Sequence, residues 1–506
     1  MMISTLLLCA NLLLAAQPAG QPAIVMDGGF DDWRAIAPAL VDPSDAPNAA
    51  VDFGELRIAH DDRFVHVLID FGRNVNVQGL DGRGMILLDV DGEPDTGRDE
   101  YGMPGVDVIV DLTPPSTRSP GTPGMGIGLR STTYVPPATQ PGQRTAELNP
   151  YDLGVVHSPT HAARRFEFRF NRGAKLQATP PAFLGERFSA KLVFLAPDGS
   201  LADETDVVSH ELQAVAHSQS AVAEPADDPL ARAPGTQLRV MSWNVQRGAM
   251  LTQPASFART VAALRPDLIL LQELPERHSA DEVRQFQQRA IPLQQGGAWN
   301  VIYGSGGGDL RCAVASPLPL REFAPLRNLP LPNQPGKTVR ATGAIVNAHG
   351  RSLLMIAVHL RCCGRANGPE DVQRLAEAQA IHDAITAAQG EGGIDGVFVA
   401  GDFNLVGSRE PVEIMAAGAD LDHSALSIAP AFQLDGRSNV TWEDASQPFS
   451  PGRLDFMLYA DSRLRLTGSL VFDSRDLSSR WRETHGVQEA DTAASDHLQL
   501  VADLGW

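Results

Sequence analysis

Val397-Phe398-Val399-Ala400-Gly401-Asp402-Phe403-Asn404 decides the reading of the second half of the chain. An apolar run of strand length breaks off at a glycine and passes straight into polar residues. The same pattern recurs on either side. Arg239-Val240-Met241-Ser242-Trp243 runs into Asn244, the apolar run 268–271 into Gln272-Glu273, and 353–358 into His359. Asp455 stands in Arg453-Leu454-Asp455-Phe456 at the head of a further strand, and Asp496-His497 precedes Leu498-Gln499-Leu500-Val501. Helical patterns lie between: 254–264, a helix opened by a capping box of Ser279 and Glu282, and a long one over 370–388 with Val372, Leu375, Gln379 and His382 along one flank. This alternation predicts an α/β domain over 238–506 with sheets covered by helices, in which sites assemble at strand ends.

Each of these polar residues alone reads as an ordinary turn or loop residue. In ordered combination they specify chemistry. A phosphodiester is anionic and repels hydroxide, so its hydrolysis needs a cation to neutralise it, a base to activate water and donors to meet the new charge. Hard oxygen ligands suit Mg2+ or Mn2+. Asp402 and Asn404, two residues apart, share one side of an extended segment.

The motifs Ser-Trp-Asn-Val-Gln (242–246), Gln-Glu (272–273), Val-His-Leu (358–360), Gly-Asp-Phe-Asn (401–404), Arg-Leu-Asp-Phe (453–456) and Ser-Asp-His (495–497), in this order, resemble those of the endonuclease/exonuclease/phosphatase superfamily. The resemblance implies a deoxyribonuclease-I-like fold, a four-layer α/β sandwich of two packed sheets with helices outside. It implies Glu273 as the principal Mg2+ (or Mn2+) ligand, with Asn244 and Asp496 close to the metal. It implies Asp402 as the group that orients or deprotonates water, Asn404 as a donor to a phosphoryl oxygen, and His359 and His497 as phosphate contacts. Asp455 is then expected to hydrogen-bond a histidine, His497. Arg247 and Arg311 are candidate phosphate contacts, followed by Arg340, Arg361 and Arg365. Arg361-Cys362-Cys363-Gly364-Arg365, directly after His359, is expected at the rim of the site.

The chain has 506 residues, too many for one ordinary core, so two or more domains are expected. A formal net charge of -20 argues against tight coating of nucleic acid by broad phosphate neutralisation, and there is no Lys-rich or aromatic-basic stripe. A local basic pocket or a bound cation keeps a polyanionic substrate open. The apolar run 3–16 before Gln17-Pro18 reads as a signal peptide (1–16), with no Lys or Arg ahead of it, and is short for a membrane span. The protein is therefore expected to be secreted or periplasmic. With Cys9 in that run, Cys312, Cys362 and Cys363 remain; they read either as one bridge and one free thiol, Cys312 with one of the pair or the pair with each other, or as small buried residues with no bridge.

Residues 21–219 read as an all-β sandwich: 56–60, 64–69, 85–89, 106–110 and 165–170 are strand-like, several of them alternating, and Asp61-Asp62 is a hairpin-type turn. Residues 113–141, rich in Pro, Gly, Ser and Thr, read as a long irregular excursion, and 220–237 as a linker. Met26-Asp27-Gly28-Gly29-Phe30-Asp31-Asp32-Trp33 and the acidic loop 89–97 resemble family 9 carbohydrate-binding modules. That resemblance implies a polysaccharide partner, with Trp33 and Tyr101 as candidate platforms. In the acidic loop Asp89, Asp91, Glu93 and Asp95 alternate oxygens as a candidate Ca2+ site; Pro94 at the sixth position excludes an EF-hand.

The expected function is an exported, divalent-metal-dependent phosphoesterase acting on a phosphodiester, in nucleic acid or a lipid head group. The alternatives are a phosphomonoesterase for sugar or inositol phosphates, and a surface- or polysaccharide-binding protein with a vestigial catalytic domain. No obligate protein partner is indicated.

Overall fold

The computed structural model describes residues 23–115, 124–135, 142–176, 182–213, 227–293, 297–332 and 334–506. The apolar run 3–16 with Cys9, and residues 214–226, which include the first part of the expected linker 220–237, lie outside the described residues.

Two six-stranded sheets form the second half. The first runs in the order Asn300–Tyr303, Leu310–Ser316, Leu268–Pro275, Leu238–Asn244, Gln499–Gly505, Arg465–Phe472. The second runs Leu320–Glu322, Ala341–Ala348, Arg351–His359, Gly396–Asp402, Asp455–Tyr459, Ser427–Ile428. Each has a parallel central pair, Leu238–Asn244 beside Leu268–Pro275 and Arg351–His359 beside Gly396–Asp402, with antiparallel neighbours. The runs are apolar on both faces because both are covered. Val240, Leu270 and Val314 of the first sheet meet Met355, Ala357 and Phe398 of the second in one core. On the outside, Met241, Trp243 and Leu271 pack on the helices Pro254–Leu264 and Ala280–Ala290, and Ile356 and Val399 pack on Pro369–Glu391. The result is the four-layer α/β sandwich.

The buried flank of Pro369–Glu391 differs from the expected one. Ala378, Ile381, Ile385 and Ala388 face the sheet, while Val372 is 58% exposed. The first turns reach past the sheet end, where Arg374 is buried by bonds to Asp371 Oδ1 and to the carbonyls of Arg361 and Cys363. The stretch read as linker also has structure: Leu230 is buried in the second-half core, Arg232 pairs with Asp267, and Ala233 N donates to Asp503 Oδ2.

The first half is a β-sandwich. One sheet runs Leu40–Val41, Glu55–His60, Phe64–Val75, Ala163–Asn171, Val156–Ser158; the other runs Leu201–Glu204, Arg187–Leu195, Arg83–Asp89, Val108–Leu112, Ile127–Val135, Gly142–Leu148, all antiparallel. Val67, Ile69 and Phe168 of one meet Ile86, Val110 and Leu192 of the other. Within the expected excursion 113–141, Ile127–Val135 is a strand paired with Val108–Leu112 and Gly142–Leu148, and its Ile, Thr, Tyr and Val suit one.

Trp33 is 1% exposed, so it is core and not a sugar platform, whereas Tyr101 is exposed. The Trp33 indole donates to Glu167 Oε2 (3.1 Å), and the backbone N–H groups of Asp27 and Gly28 donate to Oε1 (2.8 Å each). Burial pushes Glu167 up to about 8 despite these donors. Glu167→Ala leaves three donors unpaired and is expected to destabilise by about 2–4 kcal/mol. The folded chain keeps this proton to a higher pH than the unfolded chain, whose glutamate releases it near 4.5. The stability linked to it is therefore complete below 4.5 and lost as pH rises through about 8. Thermal midpoints across that range should move in favour of Glu167→Gln relative to the native chain; a constant offset would refute this.

The two halves touch directly. Met26 N donates to Arg437 O, Asn439 Nδ2 to Asp27 O, and Arg437 pairs with Asp61.

Candidate active site

Both central parallel pairs end at the same edge of the sandwich. Register places His359 beside Asp402 and Asp402 beside Asp455 in the second sheet, while Asn244 pairs with Gln272 in the first. The strand Leu268–Pro275 shifts register against Leu310–Ser316 between Leu271 and Leu274, and Glu273 stands in that bulge at φ +60°. A non-glycine residue at positive φ is strained, and here the strain turns the Glu273 side chain into the cleft. Gln246, Arg247 and Asn404, also lining the cleft, share positive φ. Gly401 is required: at φ +148° a Cβ would lie 2.0 Å from Val358 O, so a side chain would part the strands carrying His359 and Asp402.

The cleft of about 470 Å³ brings together Glu273, His359, Asp402, Asn404, Asp496 and His497. Asn244, fully buried, reaches the same point: its Nδ2 donates to Asp402 Oδ2 (3.1 Å) and its Oδ1 accepts from Gln246 N (3.1 Å). Asp402 Oδ1 accepts from Asn404 N (2.9 Å), and Asn404 Nδ2 donates to Leu360 O (3.1 Å). Nε2 of His359 lies 3.5 Å and Nε2 of His497 3.6 Å from Asp402 Oδ2. His497 Nδ1 donates to Asp455 Oδ2 (2.8 Å). Ser495 joins the loop to the strand below: its Oγ donates to Asn244 O (2.7 Å) and accepts from His497 N (3.2 Å).

The two histidines differ in charge. Burial opposes a charged His497, but the Asp455 and Asp402 carboxylates outweigh it and raise the imidazole to about 10. Burial, with the charges of Arg340 and His497 added, holds His359 neutral, well below the usual histidine range. Arg340 Nη1 lies 3.2 and 3.4 Å from the His359 ring nitrogens. Burial pushes Asp402 up to about 8 against the pull of His497, and raises Asp496 too, with Glu273 repelling both. This crowd of carboxylates fits a divalent cation, whose charge would relieve the repulsion. Glu273 and Asp496 would hold it: Glu273 Oε2 accepts the Arg247 N–H (2.9 Å) and Asp496 Oδ2 the Trp442 indole (3.2 Å), leaving one oxygen of each for a metal. Asp402, Asp455 and His497 also bring ligand atoms within 4.8 Å of one another.

Other expected residues scatter. Arg247 lines the cleft, but Arg311 pairs with Glu276 (3.1 Å) and does not. Arg340 lies on His359; the loop 361–365 contributes Cys362, Cys363 and Gly364 to the rim. All three described cysteines are free: Cys312 is buried, with its thiol 3.6 Å from Arg340 O, so it bridges to neither of the pair, and the Cys362 and Cys363 sulfurs are 2.8 Å apart as thiols. In the first half, Asp89 and Asp91 converge with Asp107, and Glu93 and Asp95 are outside that group. Trp442 and Phe449, and Asn76, Gln78 and Met125 from the first half, line the cleft without any motif that marks them.

No curated protein matches the chain. Solved structures similar to it include the catalytic domain of human Nocturnin (19% identity, 53% of this chain and 94% of that chain, TM-score 0.36). They also include ANGEL2, a 2',3'-cyclic phosphatase (14%, 54% and 96%, TM-score 0.36), and the 3' phosphatase NExo from Neisseria (16%, 53% and 100%, TM-score 0.33). A model of the Endonuclease/Exonuclease/phosphatase family matches residues 241–497, half of the chain, and spans Asn244, Glu273, His359, Asp402, Asp455 and His497; the chain belongs to that family.

Proposed function

We propose that the protein is a metal-dependent hydrolase of phosphate esters, acting on a phosphodiester by direct attack of water. The observation that carries this is the meeting of Glu273, Asp402, Asn404, Asp496, His359 and His497 in one cleft. When bound, a divalent cation neutralises phosphate oxygens and acidifies water. The chain's own groups supply the rest. Asp402, oriented by Asn244 and by the Asn404 N–H, takes the proton of the attacking water. His497 presents its Nε2–H to the phosphate oxygens as charge builds on them, and Asp455 holds the ring by Nδ1. His359 Nε2 lies 3.5 Å from Asp402 Oδ2 and 3.7 Å from Glu273 Oε1, and contacts the phosphate as a neutral ring. Asn404, with one N–H on Leu360 O, has the other for a phosphoryl oxygen. The apolar run 3–16 supports a place outside the cytoplasm, secreted or periplasmic.

The test is hydrolysis by the purified protein with Mg2+ or Mn2+ and with EDTA, over plasmid DNA, RNA, bis-p-nitrophenyl phosphate, sphingomyelin and inositol phosphates. Turnover that EDTA removes and added metal restores is expected. Glu273→Ala should raise the metal concentration for half-maximal rate by at least about 10–100-fold, the loss that removing even an outer-shell partner of a metal ligand causes. A folded protein silent on every ester would overturn the reading. Preference for inositol phosphates would move it to a phosphomonoesterase.

A further inference from the structure

The catalytic cleft is not built by the family domain alone. Asn76, Gln78 and Gly79, in the turn after the strand Phe64–Val75, and Met125, before Ile127–Val135, form one wall of it. They are fixed there. Asn76 Nδ2 donates to Val406 O (2.9 Å) and its Oδ1 accepts from Ala366 N (2.8 Å). Gln78 Oε1 accepts from Ser450 N (3.2 Å), Ile127 N donates to Pro448 O (2.7 Å), and His157 Nδ1 lies 2.5 Å from Ser450 Oγ. Gly126 lets the chains approach this closely: a Cβ there would lie 1.9 Å from Pro448 O. The loop so gripped carries Phe449, whose ring meets Trp442 edge-on at 6.5 Å, and Trp442 in turn holds Asp496.

The charge of this wall is as informative as its shape. The first-half residues on it are uncharged, Asp444 also lines the cleft, and Arg247 is the one Arg or Lys lining the cleft among the described residues. A site that grips a long polyanion needs several cations along its track. This cleft has instead Met125, Trp442, Phe449 and Leu454 in its lining beside the polar catalytic groups. Its 470 Å³ is the size of a small-molecule pocket.

We propose that the N-terminal sandwich is a part of the substrate site, closing the cleft so that it takes a phosphate ester bearing one compact, ring-containing organic group and excludes a duplex running through. The proposal rests on the phosphoesterase reading for its chemistry, and a binding measurement separates the two. With metal present, the protein is expected to hydrolyse bis-p-nitrophenyl phosphate and to nick supercoiled plasmid at least about 100-fold more slowly. Met125→Ala, on the sandwich, and Phe449→Ala, on the loop it grips, should each raise KM for bis-p-nitrophenyl phosphate about fivefold to tenfold with little change in kcat. Both side chains are partly exposed, so either variant serves if the other fails to fold. Isothermal titration of p-nitrophenyl phosphate into the same proteins in EDTA should show the same weakening without turnover. Plasmid nicked as fast as the small ester, or Met125→Ala unchanged in both KM and titration, would overturn the proposal and leave the phosphoesterase standing. No hydrolysis of either ester, with titration still weakened by Met125→Ala, would overturn the catalytic reading and leave the pocket.

Discussion

In the Asp402→Asn variant kcat for bis-p-nitrophenyl phosphate is expected to fall by about 10³-fold, with the thermal midpoint equal to or above that of the native chain. An amide is isosteric with the carboxylate and can still accept the Asn404 N–H through Oδ1. It cannot take a proton from water. Its new N–H₂ also faces the Asn244 amide where Asp402 Oδ2 now accepts, so donor meets donor. Asn244 can relieve this by turning, but then loses the Gln246 N–H bond that fixes it. A lesser rise in the metal concentration for half-maximal rate is therefore expected beside the loss of kcat. Stability need not suffer, since a buried carboxylate crowded by Asp455 and Glu273 is removed. The measurements are single-turnover rates, a metal titration and thermal unfolding. A kcat within tenfold of native would remove Asp402 from the role of base. A collapse of the thermal midpoint would make the loss structural.

That Asp402 could be singled out from sequence follows from how the second half is built. A strand covered on both faces must be continuously apolar, so the polar residue that ends it is conspicuous, and Asn244, His359 and Asp402 all stand at such ends. Glu273 was legible for the same reason, though the bulge that aims it was not. Arg311 fails this logic: arginine side chains reach far in any direction, and this one runs to Glu276. Val372 misled because helical periodicity does not say where a helix overhangs its sheet. Trp442, Phe449, Gln78 and Met125 were invisible for a deeper reason. Gln78, Met125 and the loop with Phe449 enter the cleft through contacts between the two halves, Trp442 through its bond to the distant Asp496, and no local pattern encodes such a partner. Glu167, a charge in the middle of a strand pattern, is legible only once three donors are seen to converge on it.

Asp455 offers the sharper test of how the site works, because it acts through another residue. Its Oδ2 accepts the His497 Nδ1–H and both groups are buried, so the imidazole has one orientation, with Nε2 turned to Asp402 and the cleft. His497→Ala removes a donor to the phosphate and is expected to lower kcat by about 10²–10³-fold. Asp455→Ala leaves the ring but frees it to rotate and strips its counter-charge; a loss of about 10²-fold is expected, with KM changed far less. Asp455→Asn keeps an acceptor for Nδ1–H and should fall between the two extremes. The combination decides the role. If Asp455 positions His497 and does nothing else, Asp455→Ala in a His497→Ala background costs nothing further, and the two losses are fully coupled. A structural role cannot give this pattern: the backbone bond from Asp455 N to Thr441 Oγ1 survives the substitution, and if the side chain mattered by anchoring its strand, its loss would add to that of the histidine and lower the thermal midpoint in both backgrounds. Additive losses would therefore reassign Asp455 to the fold and leave His497 to be oriented by its own backbone contacts with Ser495 and Trp243.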